Sequence, residues 1–255
     1  MGAEVAGSTV VIGWGLGIAL LVLVAVGVAV GAGGRLGVGR DVLTAAVRAA
    51  VQLAAVSAVI VAVVRSLWLS AGFVVLMLVI ASVTSARRMT GGRGGLLAVV
   101  PIGVGAALVL VVVLSTRAVP MTGIALVPVS GIVIGGSMTA TSQAGRRALD
   151  ELTVRRGEYE AALALGVPER AAALWVARPS AVQALTPPLD QTRTVGLVTL
   201  PGAFVGVLIG SGDPVQAGAA QLLVLVGLLA AESVAVVITV ELVARGLIRR
   251  TSAAG

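Results

Sequence analysis

Apolar residues in this chain form long, uninterrupted runs, and they do not alternate with polar residues as they would in amphipathic strands. Seven runs lie at residues 9–31, 42–64, 67–86, 95–116, 119–144, 184–210 and 218–243. Each has the roughly 20 residues that a helix needs to cross the hydrocarbon core of a bilayer. A transmembrane β-strand would instead alternate in polarity, and stretches such as 20–30 do not. The pattern predicts an all-α, polytopic membrane protein with about seven transmembrane helices.

The arginines orient these spans, because cytoplasmic loops are enriched in basic residues. If the N-terminus is outside, 16 of the 18 basic residues lie in segments predicted to be cytoplasmic, and only Arg65 and Arg117 lie outside. The split predicts that the N-terminus is outside and the C-terminus is inside. It also predicts a single transmembrane permease domain over residues 1–255, with a long cytoplasmic loop at about 145–183.

The composition agrees with a membrane location. Hydrophobic residues make up 58% of the chain and charged residues 11%, and the mean hydropathy is +1.10. A soluble domain has about 25% charged residues. We therefore expect a multi-pass protein of the plasma or inner membrane of the cell, with the lipid bilayer around it. A net charge of +7 in a soluble protein would suggest nucleic acid, but here the arginines set topology and no nucleic-acid partner is predicted.

Several catalytic chemistries are excluded because the chain has no His, Cys, Lys or Asn. Without His and Cys there is no Ser–His catalysis, no thiol nucleophile and no imidazole or thiolate metal site. Without Lys there is no phosphate-binding GxxxxGK[ST] loop. We therefore predict that the chain is not an enzyme, that it has no catalytic or resident metal-binding residues, and that it does not hydrolyse ATP with that loop.

The predicted cytoplasmic loop carries most of the charge and predicts two short helices. Residues from Glu160 to Leu165 are typical of a helix, Gly166 is suited to end it, and Pro168 is at a position favoured in the first turn of the next helix. Two helices joined at a glycine would form a compact knob on the inner face of the membrane. A solvated loop without a partner is the simpler alternative.

Several motifs resemble known transporter families. Glu160-Ala161-Ala162 followed by Gly166 is similar to the EAA loop of ABC transporter permeases. Further segments resemble the FetB-like permeases, a family linked to iron export with plant relatives linked to aluminium tolerance. They are residues 127–140, Arg48-Ala49-Ala50-Val51-Gln52-Leu53, residues 184–202 with Thr194-Val195-Gly196-Leu197-Val198-Thr199-Leu200-Pro201-Gly202 as their most specific part, and Asp213-Pro214-Val215.

The resemblance implies the membrane-spanning permease subunit of an ABC transporter that exports a metal such as iron. It implies a separate ATPase subunit that holds ATP and Mg²⁺, no cofactor on this chain, and a homodimer of the permease. The residues expected to couple to the ATPase lie in the cytoplasmic loop: Glu158, Glu160, Ala161, Ala162, Gly166, Pro168 and Arg170.

Two predicted spans are interrupted by proline and glycine, and such breaks point to transporter binding sites. We therefore expect a substrate pathway along Ser130, Ser137, Met138, Thr139, Asp190, Gln191, Thr194, Pro201, Gly202 and the intramembrane acid Glu232. Two alternatives remain open. The hydroxyls could bond to their own helices, and Asp190 could pair with Arg193, three residues away. Glu232 could bind a cation, relay a proton or pair with an arginine.

Two other function classes remain possible. A stand-alone secondary transporter or channel would use Glu232 and Asp190 and would need no ATPase. An intramembrane enzyme would have to rely on carboxylate or serine chemistry. Gly202, Gly206 and Gly210 form tandem GxxxG units, which predict a helix-packing face within the subunit or between two copies. The sequence itself defines neither the substrate nor the direction of transport.

Overall fold

The computed structural model describes residues 13–91 and 93–250. These residues form two compact units that divide between Ala62 and Val63. The first unit holds α1 (Trp14–Gly33) and nearly all of α2 (Gly39–Val64). α1 is apolar around its whole circumference, as expected for a helix surrounded by lipid. The first predicted span begins at residue 9, so its first four residues lie outside the described part of the chain.

The second unit holds the remaining helices. They are α3 (Leu67–Thr90), α4 (Val99–Ser115), α5 (Gly123–Val154), α6 (Arg156–Ala164), α7 (Glu169–Ala181), α8 (Thr186–Thr194), α9 (Gly202–Ser211) and α10 (Pro214–Ala244). Short 3₁₀ turns at Arg93–Ala98 and Val182–Leu185 precede α4 and α8. The described residues contain no strand, and one isolated bridge joins Val195 to Thr199.

Six helices of the described chain have the length and apolar composition needed to cross a bilayer: Trp14–Gly33, Gly39–Val64, Leu67–Thr90, Gly95–Ser115, Gly123–Val154 and Pro214–Ala244. The predicted class, an all-α multi-pass membrane protein, is confirmed. The predicted orientation, with the N-terminus outside, stays a prediction.

The predicted interruption of the span at residues 184–210 is present, whereas the predicted interruption of the span at 119–144 is wrong, because α5 is continuous through Pro128. α8 ends at Thr194, residues 195–201 are not helical, and α9 starts at Gly202. The break follows from the sequence, because Gly196 adopts the left-handed conformation (φ +81°) and Pro201 cannot donate a helical hydrogen bond. With lengths of about 14 and 15 Å, neither half could cross about 30 Å of hydrocarbon alone.

The helix directions show what this broken segment does. Gly136 and Gly145 of α5 face Glu232 and Thr239 of α10 respectively, so α5 and α10 run parallel. Parallel neighbours need a connection that returns the chain to the end of the bundle where α5 begins. α8 lies beside Gly135 and Gln143, whereas α9 lies beside Pro128, nearer the start of α5. The two halves together therefore make the return passage.

Small residues let the helices of the second unit approach closely. α3 runs parallel to α5, with Met77 against Gly131 and a 3.0 Å hydrogen bond between the hydroxyls of Ser85 and Ser142. α4 runs antiparallel to α10, and a Cβ built on Gly105 would lie 2.6 Å from the Ala231 carbonyl oxygen. Such close backbone approach supports helix association in lipid, where apolar contact alone gives little preference.

Candidate functional site

The predicted pair of short helices is present at the end of α5 and is called the α6–α7 hairpin below. α6 ends at Ala164, Gly166 has φ +83°, and Pro168 is the N-cap of α7. The amide of Val167 donates to the Ala162 carbonyl at 3.0 Å, as expected when a left-handed residue closes a helix. α5 continues to Val154, ten residues beyond the predicted end of that span, and α6 begins at Arg156.

One face of α7 is buried against α5 and α10. Ala172, Ala173, Val176 and Ala177 are all buried, and both long helices contact α7. At the same end of the bundle, Arg170 Nε lies 2.6 Å from Glu241 Oε1 and Arg170 Nη2 lies 2.8 Å from Glu241 Oε2. Arg245 also donates to Glu241 Oε1, at 2.6 Å. This bidentate pair joins the hairpin to the end of the last long helix.

The opposite surface of the hairpin is charged and has two prominent apolar residues. Leu165, next to the glycine turn, is 84% exposed, and Trp175 of α7 is 69% exposed. Glu160 is paired with Arg156 at 2.7 Å within α6. Hydrogen bonds from Arg155 lower the pKa of the Glu158 carboxyl, which is therefore ionised at neutral pH. Large apolar side chains exposed in a charged surface are typical of a protein contact site.

The interruption at residues 195–201 is stabilised by its own hydrogen bonds and by a side chain from α10. The Gly196 amide donates to the Thr199 carbonyl at 2.9 Å, and the amide of Val198 donates to the Thr194 carbonyl, also at 2.9 Å. Gln221, which is buried in α10, accepts a 3.1 Å hydrogen bond from the Phe204 amide in the first turn of α9. Irregular backbone at membrane depth needs such partners.

Three buried hydroxyls on one face of α5 have no hydrogen-bond partner in the described structure. They belong to Ser130, Ser137 and Thr141, whose side chains are fully buried. Offsets of seven and four residues place them along one stripe of the helix. Buried polar atoms are nearly always hydrogen-bonded, so this stripe is a site where water or a polar substrate could be accommodated.

Glu232 lies at the same level of the bundle, beside Gly136. Its side chain is 5% exposed, and the described residues provide it with no hydrogen bond or ion pair. It faces a cavity of about 280 Å³ between α5, α8 and α10. The polar side chains that line this cavity with Glu232 are Thr139, Gln143 and Gln191. We call it the polar cavity.

A second, apolar cavity of about 590 Å³ lies nearer the start of α5, between α4, α5, α9 and α10. Pro128 of α5 and Gly206 of α9 line it, and Ile132 lines both this cavity and the polar one. α8 therefore borders the polar cavity and α9 the apolar one. The break in the returning segment lies between these two helices.

Several predicted pathway residues have simpler roles. Thr139 and Thr194 donate to carbonyls four residues earlier in their own helices, at 3.0 and 2.9 Å, although Thr139 also borders the polar cavity. Asp190 is exposed and lies 3.4 Å from Arg193, which favours the internal ion pair. Met138 packs at the edge of the core, and Pro201 and Gly202 start α9.

The tandem glycines at 202, 206 and 210 are not a close-packing face within this chain. A Cβ built on any of them meets no atom of the structure within 4 Å. Gly206 lines the apolar cavity, and a contact of this face with a second copy stays a prediction. The close approaches that the structure does show occur at other glycines, such as Gly105 and Gly136.

Sequence reasoning missed two features of this region. Gln221 was not predicted because a single amide in a span has no motif around it. Glu241 was not assigned a partner, and it pairs with Arg170, 71 residues earlier in the chain. The ion pair between Glu241 and Arg245 had a sequence signal, because residues four positions apart lie on the same face of a helix.

Comparison with known proteins agrees with the resemblance of the sequence motifs to the FetB-like permeases. The model of the family described as "Uncharacterised protein family (UPF0014)" matches residues 14–248. The UPF0014 membrane protein STAR2 of rice (Oryza sativa subsp. japonica) is 30% identical over 82% of this chain and 74% of its own length. Protein ALUMINUM SENSITIVE 3 of Arabidopsis thaliana is 28% identical over 62% of this chain and 58% of its own length.

A bacterial relative has a more specific name. The "Probable iron export permease protein FetB" of Escherichia coli (strain K12) is 30% identical over 57% of this chain and 56% of its own length. No solved structure matches this chain. The match over nearly the whole chain, together with the multi-pass helical fold, shows that this protein belongs to the UPF0014 family of membrane proteins, which includes a probable iron export permease.

Proposed function

We propose that this chain is the membrane-spanning subunit of an ABC transporter that exports metal ions and is driven by a separate ATPase. The observation that carries the proposal is the α6–α7 hairpin, which is fixed to the bundle on one face and exposes Leu165 and Trp175 on another. A hairpin with this exposed surface fits a cleft in a partner protein. The absence of Lys from the chain agrees with ATP hydrolysis on that partner.

A path by which movement of the hairpin would reach the membrane interior supports the proposal. Arg170 of the hairpin holds Glu241, and Glu241 lies nine residues after Glu232 on the same helix. These nine residues span about 14 Å. A displacement of the hairpin that carries Glu241 with it would move α10 and therefore change the polar cavity.

The proposed substrate pathway follows the polar and apolar cavities on either side of Ile132. The broken segment that lines both is the kind of element that forms transporter sites, because its unwound backbone can change conformation. Two copies of the chain would bring two such segments together. The uncovered glycine face of α9 would allow a second copy to approach closely.

The metal substrate is proposed from the relatives. One relative is named for iron export and another for aluminium sensitivity. The chain offers carboxylate, amide and hydroxyl oxygens and has no His or Cys, which favours hard cations over soft ones.

Co-expression with candidate ATPase subunits tests the proposal. We expect a stable complex whose ATPase activity in reconstituted membranes rises with one or more ions of a metal panel. Glu160→Arg, a charge reversal on the hairpin, should weaken the complex while membrane insertion is retained. Unchanged ATPase binding and turnover in this variant would contradict docking on the hairpin.

A stand-alone cation transporter is the second candidate, because Glu232 is a buried acid beside a cavity. The pairing of Asp190 with Arg193 leaves this candidate with one of its two proposed acids. It predicts metal-ion flux through liposomes that contain the purified chain alone. The ABC proposal predicts flux that requires the ATPase and ATP.

A further inference from the structure

The four polar side chains that line the polar cavity between α5, α8 and α10 all offer oxygen ligands, and none offers an imidazole or a thiolate. Glu232 contributes a carboxylate, Gln143 and Gln191 contribute amide oxygens, and Thr139 contributes a hydroxyl. The Thr139 hydroxyl donates to Gly135, so its oxygen is still able to accept or to coordinate. A cavity of about 280 Å³ has room for an ion and several water molecules.

Close packing fixes the carboxylate of Glu232 in this cavity. A Cβ built on Gly136 would lie 2.5 Å from Glu232 Oε1, so the carboxylate occupies the space that a larger residue at 136 would fill. On the other side of α10, Gly105 allows α4 to approach the backbone of Ala231. Gly135, which precedes Gly136, has free space around it and borders the same cavity.

The 3₁₀ turn before α8 has a backbone carbonyl without a helical donor, on a residue that lines the cavity. Ala184 borders the cavity, and the residues three and four positions after it are Pro187 and Pro188. Proline has no amide hydrogen, so neither helical pattern can provide a donor to the Ala184 carbonyl. Buried carbonyls without a helical donor are common ligands for cations in discontinuous transporter helices.

We propose that the polar cavity is a binding site for a hard metal cation, with Glu232 as its charged ligand and Gln143, Gln191 and the Ala184 carbonyl as neutral oxygen ligands. This inference rests on the proposed transport function and defines where its substrate binds. One carboxylate compensates only part of the charge of a di- or trivalent ion. The site is therefore suited to reversible binding during transport, whereas a resident metal would need more charged ligands.

Terbium luminescence tests this site directly, because Tb³⁺ is a hard, oxygen-preferring cation. The full-length chain, purified in lipid nanodiscs, is titrated with Tb³⁺, and lifetimes in H₂O and D₂O give the number of water molecules on the ion. We expect a saturable site with fewer inner-sphere waters than free Tb³⁺. Glu232→Gln should raise the half-saturating concentration at least tenfold, and Gln191→Leu should raise it severalfold.

Control variants make the result specific. Glu151→Gln removes an acid of α5 outside the cavity and should leave the titration unchanged. Gln191 is exposed, so Gln191→Leu keeps the test valid if Glu232→Gln does not fold. The cation site would be overturned if both cavity variants gave the same Tb³⁺ titration curve as the wild type and the same number of water molecules on the ion. Assembly with the ATPase is measured separately. Loss of the cation site would therefore leave the proposed ABC function in place. A chain that binds Tb³⁺ but does not assemble with an ATPase would keep the cation site and contradict the ABC function.

Discussion

Arg170 in α7 and Glu241 in α10 form a bidentate ion pair, with Nε–Oε1 and Nη2–Oε2 distances of 2.6 and 2.8 Å. The pair joins an exposed helical hairpin to the helix that carries the buried acid Glu232. Both side chains are partly exposed, with 54% and 26% of their surface accessible. The pair therefore adds little to global stability, and its proposed importance lies in keeping the hairpin and α10 together during movement.

A double-mutant cycle tests this connection. Arg170→Gln and Glu241→Gln should each lower metal-stimulated ATPase activity of the complex by about two- to fivefold, the range expected for a partly exposed pair. The double variant should be no worse than either single variant, because the same interaction is lost. The control is Asp150→Asn with Arg250→Gln, which removes an ion pair at the same end of the bundle that includes no residue of the hairpin. Additive losses in the Arg170–Glu241 cycle would contradict coupling through this pair.

The glycine turn of the hairpin should be sensitive to a single methyl group. Gly166 has φ +83°, where an L-residue costs roughly 1 kcal/mol. Gly166→Ala should therefore weaken the ATPase complex about fivefold in a pull-down titration. Gly157→Ala, in the first turn of α6 with free space around an added Cβ, is the matched control and should bind as well as wild type. Equal affinities of the two variants would show that the turn conformation does not matter for docking.

Neighbouring glycines of α5 provide a second matched pair. Gly136→Ala would place a methyl group against Leu228 and Glu232, whereas Gly135→Ala would meet no atom within 4 Å. Overpacking of this kind costs about 1–3 kcal/mol. We expect Gly136→Ala to lower the midpoint of thermal unfolding in detergent by several degrees and Gly135→Ala to leave it nearly unchanged. A stable Gly136→Ala protein would show that α5 and α10 are not packed as closely as described.

Gln221 should be needed for the start of α9. Gln221→Leu removes the acceptor of the Phe204 amide and leaves a buried donor unpaired, at a cost of about 1–3 kcal/mol. Hydrogen exchange at the amides of 202–206 should accelerate as a result. Gln216→Leu, an exposed position of the same helix, is the control and should not alter exchange there. Unchanged protection in Gln221→Leu would argue against this interhelical contact.

The passage of the broken segment through the membrane can be tested with single cysteines, since the chain has none of its own. A cysteine at Ser211 should be labelled by an impermeant maleimide from outside intact cells, and a cysteine at Ala161 should be labelled only after permeabilisation. The parallel directions of α5 and α10 require these two positions to lie at opposite ends of the bundle. Labelling of both from the same side would contradict a complete crossing by α8 and α9.

Sequence patterns predicted those parts of the molecule that depend on neighbours along the chain. Apolar runs locate the long helices, and the helix–glycine–helix order of the hairpin follows from Ala-rich residues around Gly166. The span at 184–210 was predicted to break at Pro201 and Gly202, but the break begins at residue 195, because Gly196 adopts a left-handed conformation that hydropathy does not register. The Arg170–Glu241 pair and the polar cavity bring distant segments of the chain together, with Gln143, Gln191 and Glu232 lining the same cavity, and no local pattern encodes this.

The most direct test of the central claim is site-specific cross-linking between the hairpin and the ATPase. A single cysteine at Leu165, the exposed residue beside the glycine turn, is treated with a short bifunctional reagent in membranes that contain the ATPase subunit. Leu36→Cys, in the connection between α1 and α2 on the same predicted side, is the control. We predict a covalent adduct with the ATPase from Leu165→Cys and none from Leu36→Cys. An assembled, active complex that gives no adduct from Leu165→Cys would contradict docking of the motor on the hairpin.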